Sequence, residues 1–264
     1  MYSSKGPGDI YHIDGNDKLK PWGFCIHGCV DGFSRKIMWL MVSTSNNDPL
    51  IIANFFLQCV KKYDFCPRLL RMDKGRENIY CEDLQVFFTG DLDSYLYADS
   101  TRNQRIEAFW SRLKKFRTCW WIDFFKDMVN RCIYRPRLIT HQECLLFCFI
   151  PIIQGELNDF ARTWNLHQVR RSANAPGGKP DLLFNVPETV GHVQKGVEVD
   201  PRDVDIAANQ LEIDHHPVFR DKDLHELLIC YINIHNLEIP KDAESGLDMY
   251  VTLLRLLSND GFLV

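Results

Sequence analysis

Several features that would identify a class at once are missing from this sequence. Its ten cysteines include no Cys-x-x-Cys pair, which disfavours a zinc ribbon or a dithiol redox motif and favours free thiols in a reducing compartment. No apolar run reaches the roughly 18 residues of a membrane-spanning helix; the nearest, Cys144–Ile153, is too short. The N-terminus (MYSSKGPGDI) has no basic segment followed by an apolar one, so no secretory signal is expected. Internal repeats and low-complexity tracts are absent as well. Nor is there an excess of basic charge: 31 Lys+Arg against 35 Asp+Glu give a formal net charge of −4. As a total, that value argues against a nucleic-acid binder.

What is present is an ordinary globular composition of 264 residues, 45% hydrophobic and 25% charged, enough for one large or two modest cores. The charge is unevenly spread. Residues 102–137 hold ten Lys+Arg against three Asp+Glu, whereas residues 181–264 hold six against sixteen. A basic middle can meet phosphates, or it is simply a solvated helix face. The acidic end faces solvent, a protein partner, or the basic middle itself. The expected setting is intracellular, without a membrane.

Short segments rich in Ile, Val, Trp and Phe at 9–15, 23–30 and 36–43 read as antiparallel strands joined by turns at GNDKLKPWG and DGFSR. Asn47-Asp48-Pro49 then opens a helical stripe of Ile51, Ile52, Phe55, Phe56, Cys59 and Val60. A strand at 68–72, a helix at 78–89 and a strand at 94–98 follow, and then one long helix over 102–134. This order predicts an α/β fold, a mixed sheet flanked by helices, over residues 1–135. Residues 136–264 read as a mainly helical extension with an acidic tail, with helices at 142–154, 157–167, 201–212, 221–236 and 247–258.

Three carboxylates fall where these elements end or open: Asp14 at the end of the first strand, Asp73 just after the fourth and Glu107 near the start of the long helix. Side chains at strand ends build sites in α/β sheets. A lone Asp at a strand end is more often a turn residue. Brought together, three carboxylates repel one another unless a cation neutralises them, and hard divalent cations take oxygen ligands. Asp17 and Asp31 lie nearby, Asp31 in a turn that its side chain would cap. Glu77 and Asn78 follow Asp73, and Asn78 reads first as a helix cap.

The runs YHIDGN, CVDGFSRKIMWL, RMDKGREN and STRNQRIEAFW together resemble the integrase core domain of retroviral and retrotransposon integrases and the related DDE transposases. The resemblance covers about residues 9–135, and Trp164–Glu188 looks like the region after the core in uncharacterised eukaryotic integrase-core proteins. It implies a ribonuclease-H-like fold and a two-metal Mg²⁺ or Mn²⁺ site on Asp14, Asp73 and Glu107. The implied reaction is DNA 3′-end processing and strand transfer, of mobile-element origin. Two alternatives stand beside it: a catalytically silent DNA- or protein-binding module, and a ribonuclease-H-like nuclease. DNA, further copies of the chain and a protein partner for the acidic tail are the implied partners, and a nuclear location follows from DNA chemistry alone.

On the long helix, Trp110, Ser111 and Lys114 share the face of Glu107. Lys114, Lys115 and Arg117, with Arg105 and Asn103 upstream, are the candidate DNA contacts, against the simpler reading of a solvated basic face. Trp110, Trp120 and Trp121 stack on bases or, more in keeping with large aromatics, fill a core. The chain starts directly at the core and lacks the His-His-Cys-Cys zinc domain of retroviral integrases. His141 with Cys144 and Cys148, and His215-His216 beside Asp214, are only half of a zinc-binding pattern.

Overall fold

The computed structural model describes residues 4–97, 104–171, 176–212 and 218–264. Strands β1 (Ile10–Asn16), β2 (Cys25–Asp31) and β3 (Ile37–Ser43) form an antiparallel meander. Helix α1 (Pro49–Tyr63) then crosses the sheet; the Asp48 carboxylate accepts from Leu50 N, and Pro49 occupies the first turn. After the two-residue β4 (Phe65–Cys66), β5 (Leu69–Met72) runs parallel to β1. Helix α2 (Ile79–Thr89) leads to β6 (Tyr95–Tyr97), parallel to β5. The sheet order is β3-β2-β1-β5-β6, the mixed sheet flanked by helices that the sequence predicted.

The expected single helix over 102–134 is broken into α3 (Gln104–Leu113), a π-helical turn at Lys114–Thr118, and α4 (Cys119–Asn130). The cause is a slip in the apolar pattern. Ile106, Phe109 and Leu113 are buried in the same cluster as Trp121, Phe125 and Met128. Trp121 follows Leu113 by eight residues, which in an unbroken α-helix leaves it about 80° off that face. The wider turn absorbs one residue and restores the phase.

Two expected helices at 142–154 and 157–167 are one, α5 (Ile139–Leu166), with Pro151 inside it. The hydrogen bond lost at Pro151 is outweighed by burial on both sides, where Phe149, Ile150, Ile152 and Ile153 all sit in the core. Among the described residues α5 is the one helix long and apolar enough to cross a membrane, yet half of its apolar window is buried in this fold. It packs on β3 and on α8 (Lys222–His235) and α9 (Ala243–Asn259). In the chain, α6 (Pro180–Asn185), β7 (Val197–Glu198) and α7 (Pro201–Gln210) lie between α5 and α8. The β4–β7 pair, two residues a strand, escaped the sequence reading because it is too short to show alternation.

Two hydrophobic layers sandwich the sheet. One joins it to α3, α4, α5, α8 and α9, and the other to α1, α2 and α7. The first layer is continuous across residue 135. Residues 164–170 and 176–181 are tied to the β2–β3 turn. Arg35 donates to the carbonyls of Arg170 (3.1 Å) and Pro176 (2.8 Å), and Trp164 Nε1 donates to the Arg35 carbonyl (2.8 Å). Lys36 pairs with Asp181 at 2.9 Å. The edge of β3 is closed by two amides of α5. Asn165 exchanges bonds with Ile37 N and O, and Gln154 bridges Val42 N and Leu40 O.

Candidate metal centre

Parallel pairing brings the first two carboxylates together. β1 meets β5 with a constant offset, Ile10 against Leu69, Tyr11 against Leu70 and His12 against Arg71. The same offset carried two residues further sets Asp14 beside Asp73, where neighbouring strands lie ~4.8 Å apart. Side chains alternate across the sheet. Tyr11, Ile13, Leu70 and Met72 turn into the α1–α2 layer, so Asp14 projects from the opposite face, toward α3, and Asp73 follows β5 directly. Both line one cleft of about 170 Å³ with Asp17, His27, Asn46, Asn47, Glu77 and Asn78.

Helix α3 reaches this cleft through Trp110. Its indole Nε1 donates to Asp14 Oδ2 at 2.7 Å. Gly28, which faces Asp14 across the β1–β2 ladder, makes the approach possible: a Cβ there would stand 2.8 Å from the indole ring. Trp110 is therefore core, as large aromatics usually are, and also a fixed donor to the first carboxylate. Its spacing of three from Glu107 carried that signal in the sequence. Glu107 belongs to the described part of α3, while its side chain lies outside the described residues.

Asn78 corrects an expectation. It precedes α2 but makes no side-chain cap, because a 3-10 turn at Arg76–Asn78 already gives it helical backbone angles. Its Nδ2 instead donates back to the Asp73 carbonyl at 3.0 Å. Asn46, which sequence reasoning missed, bonds Asp17 Oδ1 and the Ile26 carbonyl, both at 3.0 Å; nothing in its loop marked it out. His27 is buried, and its Nδ1 accepts from Trp39 Nε1 at 3.0 Å. Burial pushes its pKa down to about 3, so it is a neutral ring at physiological pH.

Asp31 behaves as the turn residue expected. Its carboxylate accepts from Gly8 N (2.9 Å), Ser34 N (2.7 Å) and Ser34 Oγ (2.6 Å). Burial pushes its pKa up to about 6 against the pull of those donors.

The remaining candidates separate. Lys114, Lys115 and Arg117 are exposed and lie in the π-helical turn. Asn103 lies outside the described residues, as does the side chain of Arg105. Trp121 is buried and donates to Glu156 Oε2 at 3.0 Å, whereas Trp120 is 54% exposed and stacked on Phe124. Cys144 and Cys148 are buried in the core, and His141 Nδ1 meets the Tyr250 hydroxyl and accepts from Arg135 N. His215, His216 and Asp214 lie outside the described residues.

Among the described residues no three His, Cys, Asp or Glu side chains group as metal ligands; Asp14 and Asp73 are two. The lining still suits a hard divalent cation. Apart from His27, whose Nδ1 is occupied, its polar side chains are carboxylates and amides, and none of the described lining residues is a lysine or arginine.

Residues 1–184 match the family model of the integrase core domain. No curated protein matches the chain. Among solved structures it is similar to the HTLV-2 integrase catalytic core domain in complex with magnesium. For the trimeric form the identity is 16% and the TM-score 0.44, covering 69% of this chain and 99% of that one. For the dimeric form they are 17% and 0.39, covering 70% and 99%.

Proposed function

The chain belongs to the integrase core domain family, a polynucleotidyl-transferase-like kind, and from that premise we propose a metal-dependent enzyme of mobile-element origin. It would process DNA 3′ ends and join them to target DNA. The observation that carries this reading is the in-register placement of Asp14 and Asp73 at neighbouring strand ends over one cleft.

Asp14 and Asp73 would hold Mg²⁺ or Mn²⁺, with Glu107 completing the set from α3, three residues before Trp110. Bound there, such cations would supply activation of a water or hydroxyl for in-line attack on a phosphodiester and stabilisation of the leaving oxygen. Trp110 restrains Asp14 by its indole bond, so that carboxylate is oriented before substrate arrives. Lys114, Lys115 and Arg117 present exposed charge next to α3, and Arg105 and Asn103 flank its start. Contacts from such residues hold a phosphate backbone without reading sequence. Joining a pair of ends calls for more than one copy of the chain, and a DNA substrate places the work in the nucleus.

The test is calorimetric titration of Mn²⁺ into the purified chain and into Asp73→Asn, followed by oligonucleotide processing and strand-transfer assays. Stoichiometric binding lost in the variant, with strand joining that needs the metal, is the expected result. Cleavage of RNA–DNA hybrids without joining would make it a ribonuclease-H-like nuclease. DNA binding without turnover in either metal would make it a silent binding module.

A further inference from the structure

The cleft holds two side chains that the carboxylates do not account for. Asn46 and Asn78 are 6% and 4% exposed, and both line the cleft of Asp14 and Asp73. Each is fixed by its Nδ2: Asn46 donates to Asp17 and Ile26, and Asn78 donates to the Asp73 carbonyl. Those bonds decide which end of each amide is the oxygen. In both, that Oδ1 is buried and accepts no hydrogen bond from the described residues.

Buried acceptors without donors carry a desolvation cost and call for an explanation. Here two of them border the same carboxylates. A cleft already lined by Asp14, Asp17, Asp73 and Glu77 gains nothing from more negative charge, whereas a neutral amide oxygen can accept a hydrogen bond without adding to the repulsion. The donors that fit are waters. Mg²⁺ dehydrates reluctantly and keeps several waters when one or two carboxylates hold it, and the hydrogens of those waters point away from the cation.

We infer that Asn46 Oδ1 and Asn78 Oδ1 are positioning acceptors for the water shell of a divalent cation held at Asp14 and Asp73. This rests on the metal reading above. The two amides reach the cleft from separate segments, Asn46 from the loop before α1 and Asn78 from the turn before α2. Neither ligates the cation itself.

The full chain is titrated with Mn²⁺ alone by calorimetry, and its melting temperature is recorded with and without the metal. Asn46→Ala and Asn78→Ala are each expected to weaken Mn²⁺ binding about tenfold or more, as losing an outer partner of a metal site does. Asn78→Asp guards against variants that fold poorly. It keeps an oxygen but sets a carboxylate beside Asp73, so its metal-free form melts lower and its rise on adding Mn²⁺ exceeds that of the wild type. Equal affinity and an equal rise in all variants, beneath lower melting temperatures, would make the amides merely structural. That outcome overturns this inference and leaves Asp14 and Asp73 in place. No Mn²⁺ binding by the wild type, with or without a DNA oligonucleotide, overturns both.

Discussion

The two ends of the central sheet carry the same residue type in opposite surroundings. At one end, Asp31 is fully buried and takes two backbone N–H groups and a hydroxyl. Beside it Asp9 accepts from Arg68 Nε and Lys5 N, both at 2.7 Å. At the other end, Asp14 and Asp73 are half-buried and share a cleft with Asp17, Glu77 and two amide oxygens. Donors converge on the first pair and hold turns together. Around the second pair, beside the Trp110 donor to Asp14, oxygens gather and build negative charge that a cation can neutralise. Surroundings, more than residue identity, separate a structural aspartate from a candidate ligand.

The largest effect expected is on activity. Asp73→Asn should abolish metal-dependent strand transfer, by more than the ~100-fold that loss of an outer metal partner costs. Its melting temperature in the absence of metal should hold or rise as repulsion in the cleft is relieved. Asp31→Ala should do the reverse. Three donors lose a buried acceptor, and urea denaturation should show a loss of roughly 3 kcal/mol. If both variants lost stability equally, the contrast between the two ends would collapse.

Acid should sharpen it further. His27 is held neutral with its pKa near 3, and burial likewise depresses His141 to about 4. In the unfolded chain both bind protons below about pH 6.5, so stability falls as pH drops toward 4. The cost between pH 7.5 and 5 is about 2 kcal/mol for His27. Asp31 has the opposite sign. Its raised pKa means that protonation favours the folded state, returning about 1 kcal/mol as pH falls through 6. Denaturant midpoints at the two pH values should show a net loss at pH 5, steeper in a variant lacking the Asp31 carboxyl. The smallest effect expected is that of Trp110→Phe, which keeps the packing but removes the bond to Asp14. A stability loss of ~1 kcal/mol should accompany a severalfold drop in Mn²⁺ affinity.

Much of the sheet was legible because its strands are short, apolar and bounded by turn residues, and the order of strands and helices then left few topologies. Asp14 and Asp73 were legible as strand-end residues, and the strand register agrees with that placement. The long helices were harder. The one-residue slip between Leu113 and Trp121 was visible in the sequence, but only the requirement that both reach one core turns it into a π-helical turn. The break read between residues 154 and 157 does not occur, because α5 runs through it with its apolar face buried on both sides. Asn46 and the edge-closing Gln154 and Asn165 were not legible at all. Their roles depend on backbone groups 20 to 128 residues away in the chain, and no local pattern encodes such a distance.

Those two edge amides bear on how copies of the chain can add to one another. A sheet grows like a polymer, each free strand edge templating the next. At β3 that growth is already terminated from within: Asn165 and Gln154 occupy backbone positions that an incoming strand would claim. At the opposite edge, β6 spans three of the described residues, Tyr95–Tyr97. Addition of a further strand along β3 is blocked from within the chain itself.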